Sequence, residues 1–397
     1  MIRPSASTPL LVWTLALLST VSYGALWYAQ PLLAVATEET FGWSRTHTGL
    51  AFTLALVVTA VLAPRVGRRL DQNGGRILLT SGAVLGAVAF VILAVSSSYP
   101  MFVVGWLLAG IAMSLTFYEA VFTVLAHQLG GSARARASLT ITLVAGLAST
   151  VFVPLTTVLL QGFGRQPALL SLAALLLAMG ALVWTVLPNS SGAPAAGSPF
   201  VPDRRFFRLT AAFTLARIIT VGVGLQLVPL LLGSGYPPLE AAGLAAWMGL
   251  AALPGRMLFM PLMARWQAVP LSAALIAGLS AATLLFHWAD SAAAAVLGAG
   301  LFGMTNGALT LARNEVLLAA YRTEVFGAAN GRMASWVNGA QALTPLGVGF
   351  LFTMTAGYSV SLSMMAGLGV TAVLVLASMG RRDTLDKPAF PEVSGRQ

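Results

Sequence analysis

The chain has 397 residues, of which 57% are hydrophobic and 9% charged, and a net charge of +10. A water-facing domain carries roughly 25% charged residues, so most of this surface must face lipid instead. With no cysteine and only three dispersed histidines, His47, His127 and His287, the composition excludes a disulfide framework, a thiolate nucleophile and a metal cluster.

A membrane-crossing helix needs about 20 mostly apolar residues. Six stretches qualify before a polar break: 10–35, 46–66, 76–96, 100–126, 137–161 and 167–187. Six follow it: 207–232, 239–263, 268–288, 291–319, 328–354 and 358–379. The first is too long for a signal-peptide core and lacks a cleavage site. The expected fold class is therefore an all-α membrane protein of twelve transmembrane helices. The segment 188–205 (PNSSGAPAAGSPFVPDRR) is rich in Pro, Gly, Ser and Ala, which predicts an exposed linker. It divides an N-terminal six-helix half, 1–187, from a C-terminal half, 206–397, that ends in a short tail.

The charges lie between the apolar runs, so the positive balance points to membrane topology and not to a nucleic-acid partner. One set of loops carries Arg65, Arg68, Arg69, Arg76, Arg134, Arg136, Arg204, Arg205, Arg208, Arg265, Arg322, Arg381 and Arg382. The opposite set has Arg45 and Arg165 as its basic residues, beside Glu38, Glu39, Glu240 and Asp290. Basic loops stay in the cytoplasm, which predicts a bacterial-type inner-membrane protein with both termini cytoplasmic.

A helix that lines water needs a polar stripe at helical spacing. The first span offers Ser19, Tyr23, Trp27 and Gln30; the fourth Thr116, Glu119, Thr123 and His127; the fifth Thr142, Ser149 and Thr156. The seventh offers Thr210, Thr214 and Arg217, the tenth Asn306, Thr310 and Arg313, and the eleventh Asn338 and Gln341 before Pro345. Spans 3, 6, 9 and 12 hold no internal charge. Polarity thus recurs every third helix, as inverted three-helix repeats nested in two halves would give, with a path expected between the halves.

The junction of the second and third spans reads Gly67-Arg68-Arg69-Leu70-Asp71-Gln72-Asn73-Gly74-Gly75-Arg76. It resembles the cytoplasmic motif of the major facilitator superfamily: Gly, three residues, Asp, a basic residue, any residue, Gly, then basic residues. Gly67, Asp71, Gly74 and Arg76 fit, while Gln72 and Gly75 replace basic residues. The resemblance implies a cytoplasmic gate in which glycines permit a tight turn and close helix approach, and Asp and Arg form a latch. The counterpart in the second half, Gly255-Arg256 through Arg265, lacks the Asp.

Shorter segments resemble the monocarboxylate-porter and oxalate–formate-antiporter-like branch. These are Phe41-Gly42-Trp43-Ser44-Arg45-Thr46, the run Ala133-Arg134-Ala135-Arg136-Ala137 leading to Gly146, and Arg256, which matches a carboxylate-binding arginine of that branch. The drug-antiporter signature of the fifth span is absent; Val153-Pro154-Leu155 stands there.

Among the candidate residues, a carboxylate at Glu119 inside the bilayer would cost about 2.5–3.5 kcal/mol, and burial favours its protonated form. It reads as the proton-coupling acid or as a structural partner of an arginine, the first being preferred. Arg217 and Arg313 keep their charge and can grip a carboxylate or phosphate through a bidentate fork; each is a candidate substrate ligand. Two arginines against one acid favour an anion. Arg256 is either a substrate ligand or half of a latch with Glu315, the latch being slightly preferred. Tyr23, Trp27, Gln30, Asn306, Asn338 and Gln341 are candidates to shape the pocket, although each alone is more often an interhelical contact. His127 is expected at the interface, and Tyr118 to pack.

The sequence therefore predicts a monomeric secondary transporter, not an enzyme, with no cofactor or metal. It would move a small anionic solute, such as a carboxylate, by proton coupling or exchange. The rival is a multidrug or amphiphile exporter of the same fold.

Overall fold

The computed structural model describes residues 8–188, 200–355 and 357–379. Residues 189–199 of the expected linker lie outside these, as do Arg381, Arg382 and the C-terminal tail, while its last two residues, Arg204 and Arg205, belong to the helix that follows.

Among the described residues every regular element is helical. In chain order they are α1 (Thr8–Tyr23), a π-helical turn (Gly24–Tyr28), α2 (Gln30–Phe41), α3 (Arg45–Asn73), α4 (Arg76–Val95), α5 (Tyr99–Thr116), α6 (Tyr118–Gln128), α7 (Gly131–Gly146), α8 (Ala148–Phe163) and α9 (Arg165–Val186). Then come α10 (Arg204–Gly233), α11 (Pro238–Met263), α12 (Ala268–Leu285), α13 (Ala292–Ala320), α14 (Phe326–Thr355) and α15 (Ser359–Ala377), with short 3-10 turns at Phe286–Trp288 and Thr323–Val325. Lipid offers no hydrogen bonds, so the backbone must satisfy its own, and a helix does that within one segment.

Eleven helical stretches are long and apolar enough to cross a membrane among the described residues, which makes this a multi-pass membrane protein. The remaining long helix, α14, spans 30 residues but interrupts its apolar sequence with Asn330, Arg332, Asn338 and Gln341. It corresponds to the eleventh predicted span.

The structure corrects the sequence reading in two respects. The second span continues to Asn73, so Arg65, Arg68 and Arg69 lie on helix α3 and not in a loop; Arg134 and Arg136 likewise lie on α7. Three predicted spans are also discontinuous. The first passes through a π-helical turn at Gly24–Tyr28. The fourth breaks at Phe117, whose ψ of 176° is extended. The fifth is interrupted at Leu147, with Pro154 inside its second part.

Packing separates the chain into two compact units. The first comprises Met1–Phe200 with Thr323–Gly339, and the second Val201–Arg322 with Ala340–Gln397. Helix α14 therefore begins in unit 1 and ends in unit 2.

In unit 1, α4 packs against α5 and α9, α3 against α5, and α1 against α7. The Thr59 hydroxyl donates to the carbonyls of Ala55 and of Gly110, each at 2.9 Å, and so joins α3 to α5. Arg165, one of two basic residues expected on the sparsely charged side, caps the end of α4. Its guanidinium donates to Leu93 O (2.9 Å) and Ser96 O (3.3 Å) and lies 4.8 Å over the Phe41 ring. A positive group at a helix C-terminus satisfies carbonyls left without intrahelical partners, which accounts for this exception to the charge pattern.

In unit 2, α11 packs along α13, and α12 against α13 and α15. The α11–α13 crossing depends on small residues: a methyl group at Gly303 or Gly307 would strike the carbonyl of Met248 or Ala252. Small residues let membrane helices approach until their backbones touch. Asp203 caps α10 through Phe206 N (2.8 Å) and accepts the Tyr321 hydroxyl at 2.7 Å. This joins the start of α10 to the end of α13.

Candidate functional site

The candidates divide between the units. Unit 1 holds Tyr23, Trp27, Gln30, Glu119 and Asn338; unit 2 holds Arg217, Arg256, Asn306, Arg313 and Gln341. All are half-buried except Gln341, which is buried.

In unit 1 two helix discontinuities meet. Tyr23 precedes the π-helical turn of the first span, and Phe117 is the break in the fourth. Their rings stack at 4.0 Å between centroids with planes 14° apart. Tyr118 completes the pile, 4.7 Å from Tyr23 and stacked on Phe122 at 5.2 Å. These rings fix where α6 begins, and Glu119 sits in its first turn. The reading of one continuous stripe from Thr116 to His127 is thereby corrected: Thr116 is buried on α5, and only Glu119, Thr123 and His127 share α6. The opening turn of a helix presents backbone N–H groups and favours negative charge. The Glu119 carbonyl accepts the Thr123 hydroxyl at 2.7 Å and the Asn330 amide at 3.1 Å.

At the far end of α6, Asp71 on α3 is buried, with 6% of its surface exposed. Its Oδ1 accepts Gly327 N at 2.8 Å and its Oδ2 accepts Ala328 N at 2.7 Å, so the carboxylate caps the start of α14. His127 Nε2 reaches Oδ1 at 2.8 Å. Backbone proximity makes this possible, because a methyl at Gly67 would collide with Gly327 O and one at Gly331 with Ala63 O. Gly74 closes the following turn with φ 73° and donates its N–H to Leu70 O at 3.1 Å. Arg76 stands with its guanidinium 4.3 Å over the Trp184 ring.

In the sequence His127 appears only as part of the fourth-span stripe, and Gly327, Gly331 and Asn330 stand outside every predicted site. The spacings Ala63-x3-Gly67-x3-Asp71 and Gly327-x3-Gly331 are the sequence signal for this crossing. His127, expected at the interface, faces Asp71.

In unit 2, Arg217 lies at the middle of α10. Its Nε donates to Gln341 Oε1 at 2.7 Å, and its Nη2 converges on the same oxygen. The fork fixes the plane of the guanidinium. On α13, the Thr310 hydroxyl donates to Asn306 O at 3.3 Å, and Arg313 follows one turn later. Arg256 lies inside α11, one residue after Gly255, where a methyl would strike Met304 O on α13. The degraded second-half motif therefore begins within a helix crossing. Among the described residues no three His, Asp or Glu side chains gather as a metal ion would require.

Residues 12–345 match the family model described as Major Facilitator Superfamily. Among solved structures, the human organic anion transporter MFSD10 (TETRAN) is similar with a TM-score of 0.77 at 17% identity, over 94% of this chain and 100% of that one. The proton:xylose symporter XylE, bound to 6-bromo-6-deoxy-D-glucose, is similar with a TM-score of 0.67 at 14% identity, over 93% of this chain and 96% of that one. No protein of curated function matches this sequence.

Proposed function

Because the chain belongs to the major facilitator superfamily, we propose that it is a secondary transporter that carries a small organic anion, such as a carboxylate, across a bacterial inner membrane. The observation that carries this reading is Arg217, a permanently charged group at the middle of a membrane-spanning helix, oriented by Gln341. An ionisable group at that depth marks a substrate or ion pathway by default. A guanidinium held in one plane presents its donors in the geometry of a carboxylate. Arg313 adds a second positive group on α13.

Glu119 is the proposed proton carrier. It occupies the turn that follows a helix break, and broken helices are where carriers of this kind build ion sites. Transport would proceed by alternating access of the two halves, with the basic ends and both termini cytoplasmic. The solved neighbours transport an organic anion and a sugar with protons according to their descriptions, which is compatible with this reading at the level of fold.

Counterflow in proteoliposomes tests the substrate class. Internal small carboxylates should accelerate entry of labelled carboxylate. Exchange restricted to lipophilic cations would overturn the anion reading and favour the drug-exporter alternative.

A further inference from the structure

We propose that His127 makes the contact between α3 and α14 respond to pH, so that a proton on its imidazole holds this contact closed. The proposal rests on the transporter reading only in supposing that the contact opens during the cycle; the array itself is independent of any substrate.

Asp71 is buried and receives two backbone N–H groups from the first turn of α14, together with His127 Nε2 from α6. One carboxylate therefore joins three helices. Imidazole is the side chain whose ordinary charge change falls between pH 5 and 8. A neutral ring still donates one N–H, but a charge-assisted bond to a carboxylate is roughly twice as strong. The added charge also offsets the cost of burying Asp71. If α14 withdraws, Asp71 loses both backbone donors, and the environment that holds His127 against it changes. A charged imidazole therefore ties Asp71 to α6 more firmly than a neutral one, and the contact holds more tightly as pH falls.

Other charged groups at this end belong to elements packed on α6 or bonded to it. They are Arg65, Arg68 and Arg69 on α3, Arg134 and Arg136 on α7, Arg332 on α14 and Glu324 in the Thr323–Val325 turn; Glu119 lies at the opposite end of α6. The arginines keep their charge throughout this range and cannot supply a pH step. Glu324 is the competing titratable group at this end, and the test includes it.

Thr123 reports the opening. It is buried on α6, and its methyl lies close to where a Cβ at Gly327 would stand. The chain has no cysteine, so Thr123→Cys in the full-length purified protein gives a single thiol covered by α14. Maleimide labelling is measured from about pH 5.5 to about pH 8 in this background alone and with His127→Gln, His127→Arg or Glu324→Gln. Ratios between variants at each pH cancel the ionisation of the thiol.

Labelling with native His127, relative to His127→Gln, should be near equal at the alkaline end and fall about three-fold or more at the acid end. His127→Arg should remain protected throughout, and Glu324→Gln should keep the native response. A ratio to His127→Gln that does not change with pH would overturn the proposal, as would a response lost in Glu324→Gln but retained in His127→Gln. Either outcome leaves the carboxylate counterflow result standing, so the failure of this proposal and of the transport reading are distinguishable.

Discussion

Tyr23 and Phe117 lie face to face, 4.0 Å between ring centroids, at the points where the first and fourth spans each depart from α-helical geometry. The stack ties two irregular segments of unit 1 together and sets the first turn of α6, where Glu119 sits. Aromatic pairs contribute about 0.5–1.5 kcal/mol beyond their burial. Tyr23→Ala should therefore lower thermal stability clearly, whereas Tyr23→Phe keeps the stacked face and should remain near the native melting temperature. Thermal unfolding of the purified protein in detergent checks both.

Glu119→Gln preserves shape and hydrogen-bonding capacity while removing the exchangeable proton. It should abolish accumulation driven by a pH gradient and leave part of the exchange activity. Parallel uptake and counterflow assays in proteoliposomes separate the two. Normal gradient-driven uptake by this variant would remove Glu119 from the coupling role.

The α3–α14 crossing makes a steric prediction. Gly67→Ala and Gly331→Ala each place a methyl against a facing carbonyl, and overpacking of this kind costs about 1–3 kcal/mol. Both should increase labelling of Thr123→Cys at every pH. Asp71→Asn should do the same by weakening the cap on α14 without adding volume.

Tyr321 gives a pH prediction outside the spans. Burial chiefly, with the hydrogen bond and negative charge of Asp203, pushes its phenol well above the ordinary range, and Arg205 opposes this. The folded chain thus keeps the proton that the unfolded chain releases as pH passes about 10. The stabilisation is complete below that pH and is lost as pH rises above it. Tyr321→Phe should cost about 1 kcal/mol near neutrality, and this difference should shrink in alkaline unfolding experiments.

The apolar runs made the helices legible because a bilayer imposes one length and one backbone solution. The grouping of basic residues at span ends could also be read from the sequence, but many of them ride on helices: Arg65, Arg68 and Arg69 on an extended α3, and Arg204, Arg205 and Arg208 on α10. Discontinuities were harder to see. Phe117 carries no proline or glycine signal, and the π-helical turn at Gly24–Tyr28 has the composition of an ordinary helix. The motif around Asp71 could be recognised from its spacing, but its partners could not. Gly327 and Gly331 lie some 250 residues away in sequence, and backbone N–H groups have no sequence signature. His127 gave no signal beyond its place on the α6 stripe, since a lone histidine near a span end reads as interfacial. The pairing of Arg217 with Gln341 joins α10 and α14, and helical periodicity within one span does not encode such a contact.

The central claim is that Arg217 binds the carried anion. Titration calorimetry of a carboxylate active in counterflow, into the native protein and into Arg217→Ala, tests it most directly. Losing a charge-assisted contact worth about 1.5–3 kcal/mol should weaken binding at least about ten-fold. Equal affinity in the two proteins would contradict the account.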